Sequence, residues 1–170
     1  RIALGIFIVC NIIAMFCYPG STYFDSLNPD YSFIRNFLSD LGRTKSFSCE
    51  INFLSSQIFN MSLIISGVVF TCFYYYVQRS FTAANQRIMA LIGSFFGMLG
   101  GLSLIGVGLT PADLYLELHI ICATWLFRFF FVASLCYTIV IYLHSSFENK
   151  YASGYFVFTI SILLYKIGRA

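Results

Sequence analysis

The chain has 170 residues, 59% of them hydrophobic and only 10% charged, with a formal net charge of +3. Soluble globular domains carry about 25% charged residues, so this composition excludes an ordinary soluble enzyme. Three net positive charges suit contacts with anionic lipid rather than a phosphate-binding face, which excludes nucleic acid as a partner.

With a mean hydropathy of +0.81, the sequence reads as all-α, a polytopic transmembrane helical bundle. It is expected to form one domain over 1–170, multi-pass in a membrane. Five apolar spans are expected, at about 2–18, 52–77, 88–109, 114–143 and 151–167. These are long continuous runs, as helices need, rather than the ten-residue alternating segments of a membrane barrel. The opening run begins at Arg1 and covers about 25 Å as a helix, just short of a hydrocarbon core of about 30 Å. It reads as the start of a longer or processed chain.

The long polar segment 19–50 mixes charges with aromatic residues, the composition of a membrane interface. Within it, Phe33, Ile34, Phe37, Leu38 and Leu41 recur at helical spacing opposite Arg35, Asn36, Ser39 and Asp40. The spacing predicts a short interfacial helix over 31–41, with its apolar face inward or on lipid and Gly42 as its C-cap. Later connections are short, which implies antiparallel neighbouring helices. Basic residues near the span ends are almost balanced between the two sides. Arg1, Arg79, Arg87 and Lys150 lie on one side and Arg35, Arg43, Lys45, Lys166 and Arg169 on the other, and the N-terminus and the 78–87 loop are read as inside.

Span two opens on Asn52, Ser56 and Asn60 at four-residue intervals, with Gln57 beside them. Polar groups in lipid need partners, so this face is expected to point inward, either bonding between helices or lining a polar cavity. Asn60-Met61-Ser62 matches a glycosylation sequon but lies inside the span, and it is discounted. Span three carries Gly93, Gly97 and Gly101, a thin stripe for close helix approach. In span four, Glu117, Ile121, Thr124 and Arg128 share one face. Arg128 lies deep in the apolar run, where an arginine is expected to face the bundle or a water-filled cavity. About 16 Å of helix separates it from Glu117, so it needs another acceptor, such as Asn60, Gln57 or a lipid phosphate.

Asp113 and His119 fall on the same side of the membrane as Asp40 and Arg43. A histidine among carboxylates can bind a metal or move a proton. No metal-ligand spacing supports that here, and an interfacial salt-bridge network is the plainer reading. The six cysteines contain no CxxC pair, and the five in apolar runs read as small apolar residues. No catalytic residue, metal set or cofactor is assigned.

The stretch Tyr31-Ser32-Phe33-Ile34-Arg35-Asn36-Phe37-Leu38-Ser39-Asp40-Leu41-Gly42 resembles the "GYS…hIS-E/D-LG" segment of an uncharacterised bacterial and archaeal membrane family, domain of unknown function 998. The turn Leu109-Thr110-Pro111-Ala112-Asp113, with His119 and Ala123, is similar to that family's "hFP-D…HxxxA" stretch. Asp30 stands where the family has glycine, and Leu38-Ser39 where it has isoleucine–serine. The resemblance implies six spans, the sixth following Ala170, and it brings no settled activity. It singles out Ser39, Asp40, Gly42, Pro111, Asp113 and His119.

Three functions compete. A non-catalytic subunit of a membrane complex would use the large apolar surface offered by 20 phenylalanines and 12 tyrosines. A small transporter or lipid-handling protein would centre on Asn60 and Arg128. A membrane enzyme would use Asp40, Asp113, Glu117 and His119. The partners implied are membrane lipids and either other membrane subunits or further copies of the chain.

Overall fold

A computed structural model describes residues 2–144 and 147–167, with the backbone alone at 2, 3, 166 and 167. Arg1, Arg169, the Lys166 side chain and any span after Ala170 lie outside the described residues. The chain is all-helical. It forms α1 (Ile2–Phe16), α2 (Phe53–Val77), α3 (Ala84–Leu109), α4 (Leu116–Tyr142) and α5 (Asn149–Ile167). Single 3-10 turns occur at Leu38–Gly42 and Gln78–Ser80. Among the described residues, three stretches are long and apolar enough to cross a membrane: Phe53–Ser80, Ala84–Leu109 and Leu116–Tyr142. A shorter apolar helix runs over Leu4–Phe16, and α5 is not among the three.

Helix α3 begins four residues before its apolar run. Asn85, Gln86 and Arg87 continue the helix as a polar first turn, and Gln86 Nε2 donates to the Leu143 carbonyl at 3.0 Å. Hydropathy marks what lipid covers rather than where a helix starts. At the other end, Pro111 lacks an N–H and disfavours helix at Thr110, so α3 stops at Leu109. The Pro111 carbonyl then accepts from Leu114 N at 3.0 Å and Tyr115 N at 2.9 Å, which turns the chain into α4.

The chain divides into two compact units, Arg1–Gly67 with Leu104–Ala123, and Val68–Ser103 with Thr124–Ala170. The second unit has a core of Tyr74, Phe81, Ala90, Phe130, Ala133, Tyr137, Val140, Ile141, Ala152 and Ile162. Aromatic rings dominate it: Tyr137 lies 5.5 Å from Tyr155 in a stacked pair and 5.6 Å from Tyr74. Two buried hydroxyl pairs tie its helices together, Ser94 to Tyr137 at 2.6 Å and Thr159 to Ser134 at 2.8 Å. Interhelical bonds of this kind contribute about 0.6–2 kcal/mol in membranes. Tyr137→Phe should therefore lower the detergent unfolding transition by about 1 kcal/mol while its ring contacts persist. An unchanged transition would mean that Ser94 finds another partner.

The glycines of α3 serve two neighbours rather than one seam. A Cβ at Gly93 would meet Cys136 Cβ at 2.9 Å, on α4, whereas one at Gly97 would overlap the Tyr74 ring, on α2. Gly101 is buried, but the Phe130 ring presses on Gly100, 2.8 Å from where its Cβ would stand.

In the first unit, the segment after α1 folds on its own polar groups. Gly20 (φ +88°) and Ser21 (φ +70°) reverse the chain, and Ser21 N donates to Asn28 O at 2.6 Å. A side chain at Gly20 would meet Asn28 O and Pro29 O at 2.5 Å, so only glycine fits there. The expected helix over 31–41 is reduced to turns and the 3-10 segment Leu38–Gly42. Of the two orientations expected, the outward one holds for four of the five apolar positions: Asn36 and Asp40 are buried with Leu41, while Phe33, Ile34, Phe37 and Leu38 are exposed. The cause is side-chain competition for the backbone. Asn36 Oδ1 accepts from Ser32 N at 2.9 Å, and Asp40 Oδ2 accepts from Phe37 N at 2.8 Å. Gly42 lies inside the 3-10 segment rather than capping a helix. Its role is close approach, since a Cβ there would collide with Asn60 Oδ1 and the Phe59 ring.

Candidate functional site

The polar residues of the first unit assemble around a loop held to a turn. Residues 44–52 form a small reversal, with Asn52 N donating to Thr44 O and Ser46 N to Glu50 O, both at 2.9 Å. This presents the backbone N–H groups of Thr44 and Lys45 side by side. The Asp113 carboxylate receives them. Thr44 N lies 2.9 Å from Oδ1 and Lys45 N lies 3.1 Å from Oδ2, and the Thr44 hydroxyl also donates to Oδ2. Partial burial pushes the Asp113 carboxyl up. The bonds from the Thr44 side chain, Thr44 N and Lys45 N outweigh that and leave it below its ordinary value of 3.8. Asp113 is thus a clamp between two segments 69 residues apart.

His119 is buried, and its Nδ1–H donates to the Thr110 carbonyl at 2.7 Å, closing the turn that contains Asp113. Asp40 is bound separately. Its Oδ2 accepts from Asn36 Nδ2 at 3.2 Å as well as from Phe37 N. Burial raises its carboxyl above the ordinary value, against the lowering effect of Asn36, Phe37 and Arg43. Arg43 itself points elsewhere, with Nε donating to Lys45 O at 3.2 Å and its guanidinium 4.2 Å from the centre of the Phe47 ring. Asp40, Arg43, Asp113 and His119 therefore each have their own partners, and they do not meet around one ligand position. Among the described residues, no group of three His, Cys, Asp or Glu side chains stands close enough to hold a metal ion.

The polar start of α2 splices this loop to the helix. Asn52 Nδ2 donates to the carbonyls of Leu41 and Arg43 at 3.0 and 2.9 Å, and Ser55 Oγ donates to Leu41 O at 3.2 Å. Asn60 Nδ2 donates to Gly42 O at 3.0 Å. These groups satisfy loop carbonyls rather than lining a cavity. Gln57, grouped with them by sequence, is exposed. The partners of Asp113 could not be read from residue types, because backbone N–H groups carry no sequence signature. Thr44, with its hydroxyl on the carboxylate, is the residue that was missed.

Glu117 is exposed in the first turn of α4, where a negative charge complements the helix dipole. Arg128 is also exposed, against the inward orientation expected for it. The reason is that α4 commits Phe130, Ala133, Tyr137 and Val140 to its core face, and Arg128 stands off that face. Its guanidinium lies 4.9 Å from the centre of the Trp125 ring, and Trp125 stacks on Phe129 at 5.1 Å. In the same unit, an open groove at the start of α5 is lined by Lys150, Tyr151, Gly154, Tyr155 and Phe158. Lys150 is already paired with Glu148 at 2.6 Å.

No curated protein and no solved structure matches the chain. A family's sequence model does, over residues 2–165, almost the whole length and including both stretches quoted above. The chain belongs to the family described as Protein of unknown function (DUF998).

Proposed function

We propose that this chain is a non-catalytic subunit of a membrane protein complex. The observation that carries the reading is Arg128. It lies at the thirteenth of the 27 residues of α4, one of the helices long enough to span, and its side chain is exposed. A cation at the centre of a spanning helix costs about 2.5–3.5 kcal/mol on insertion scales and is normally turned toward protein or water. An exposed one calls for a neighbour beyond the described residues, which the subunit reading takes to be a partner protein.

The separate bonding of Asp40, Asp113 and His119 supports the same reading, since surface chemistry would need them to converge. The donors of Asn52, Ser55 and Asn60, which a solute path would need free, are bonded to loop carbonyls, although Asn52 Oδ1 is buried without a partner. In the α5 groove, the Lys150 charge is offset by Glu148, which weakens the lipid-handling alternative.

Purification in a mild detergent followed by native mass spectrometry tests the reading. The expected result is a hetero-complex of fixed stoichiometry. A monomer or homo-oligomer that retains one specific lipid would overturn it in favour of lipid handling.

A further inference from the structure

The loop after α1 closes around a carboxylate. Asp40 is 4% exposed, and its Oδ2 accepts from Phe37 N at 2.8 Å and from Asn36 Nδ2 at 3.2 Å. Its Oδ1 accepts no hydrogen bond from any described residue. Asn36 has nothing left to offer it, since Nδ2 also donates to Ser21 O at 3.1 Å and Oδ1 is taken by Ser32 N. Among the described residues Asp40 has no ion-pair partner either. The neighbouring Arg43 turns its guanidinium to Lys45 O and the Phe47 ring. Two N–H donors favour the charged form of a carboxyl, but they cancel no charge. A buried ion without a counter-charge is costly.

The Tyr18 side chain belongs to the same cluster. Tyr18 is 4% exposed, and its hydroxyl is buried with no hydrogen-bond partner. Ser21 is near it, but Ser21 Oγ accepts from Ser48 N at 3.1 Å and makes no bond of acceptable geometry with the phenol. The rings of Tyr18 and Tyr31 meet edge-on at 5.8 Å, and both residues stand close enough to feel the Asp40 charge. A bare carboxylate oxygen and an unpartnered hydroxyl oxygen are hard oxygen donors. A neutral ligand would satisfy the phenol and leave the carboxylate charge uncompensated, so the pair calls for a positive one. Divalent ions take several carboxylates, and no group of three His, Cys, Asp or Glu side chains exists among the described residues. A single positive charge matches the single carboxylate.

We infer that Asp40 Oδ1 and the Tyr18 hydroxyl oxygen bind a small monovalent cation of the alkali-metal class. The ion fastens the end of α1 to the 3-10 segment Leu38–Gly42, which Asn52, Ser55 and Asn60 already join to α2. It neutralises Asp40 as a proton does at lower pH, so ion and proton compete for the site. The site lies within the first unit and is independent of the subunit reading.

The test follows thermal unfolding of the full chain in a mild detergent at pH 7. Sodium, potassium and N-methyl-D-glucamine chlorides are compared at one ionic strength, and sodium NMR line broadening measures binding directly. The transition should rise saturably with sodium or potassium and not with the bulky organic cation. Asp40→Asn should abolish both the rise and the line broadening. Tyr18→Phe, which keeps the ring and its contact with Tyr31, should raise the half-saturating concentration at least fivefold. Below the pH at which Asp40 titrates, that concentration should rise about tenfold per pH unit in the wild type. Where Asp40→Asn does not fold, the Tyr18→Phe shift and the proton competition decide. Equal transitions in the three salts would overturn the inference. So would a sodium response unchanged in Asp40→Asn or in Tyr18→Phe, or stabilisation by acid alone with no cation response. A hetero-complex of fixed stoichiometry without any sodium response would sink the cation site and leave the subunit reading standing.

Discussion

Gly97→Ala should destabilise the second unit by about 2 kcal/mol or more, although alanine is the better helix former. The added Cβ would fall on the Tyr74 ring, with three ring carbons as its nearest neighbours. Tyr74 has no room to retreat. It is 3% exposed and packed against Phe73, Phe130 and Tyr137 at ring separations of 5.2, 6.2 and 5.6 Å. Overpacking a filled core costs about 1–3 kcal/mol, and the gain in helix propensity, about 1 kcal/mol at most, offsets only part of a clash this close. Gly154→Ala is the matched control, because nothing stands within 4 Å of its added Cβ. It should be neutral or mildly stabilising. Reversible unfolding in mixed micelles compares the two. In a Tyr74→Ala background the Gly97 substitution should cost much less, a non-additivity expected of groups in contact. Equal transitions for the Gly97 and Gly154 variants would mean that α2 and α3 do not meet at Tyr74.

The same glycines mark where sequence reading stops. A four-residue glycine period announces a close approach, but not by which helix, and the ring on Gly97 comes from α2 while that on Gly93 comes from α4. Helix existence was legible because apolar runs long enough to span leave few alternatives. Helix facing was not. α4 is apolar around most of its circumference, so the stripe that forms its core has no hydrophobic contrast to reveal it, and Arg128 was placed inward on cost alone. Over 31–41 the apolar spacing left two senses open, inward or on lipid, and the burial of Asn36 and Asp40 turns Phe33, Ile34, Phe37 and Leu38 outward. Asn36 and Asp40 spend their side chains on Ser21, Ser32 and Phe37, and those bonds need the interior of the unit. Asp113 and His119 stood out as residues. Their roles depend on the backbone of Thr44 and Lys45 and the carbonyl of Thr110, which any sequence would offer.

Asp113→Asn should release the 44–52 reversal from the α3–α4 turn. Every group that reaches Asp113 from Thr44 and Lys45 is a donor, and a carboxylate answers with two acceptors, whereas an amide substitutes a donor for one of them. Bonds to charged groups contribute about 1.5–3 kcal/mol each, so the variant should lose about 2 kcal/mol of local stability. The remaining bonds, Asn52 N to Thr44 O and Ser46 N to Glu50 O, hold the reversal together without attaching it to the turn. The pH dependence carries a definite sign. Asp113 lies below 3.8 in the folded chain, so its contribution is complete above 3.8 and is lost only as pH falls through that lower value. Asp40 lies above its ordinary value, so the fold disfavours its charge and gains stability as pH falls through that raised value toward 3.8. Acidification from neutrality should therefore first tighten the segment around Asp40 and only afterwards free Thr44 and Lys45. Hydrogen exchange over peptide 43–48, corrected for the intrinsic rate at each pH, reads the second step. Wild-type protection should hold down to 3.8 and collapse below it, whereas Asp113→Asn should be unprotected already at neutral pH. Equal protection in the two proteins at pH 7 would show that the reversal stands without the clamp.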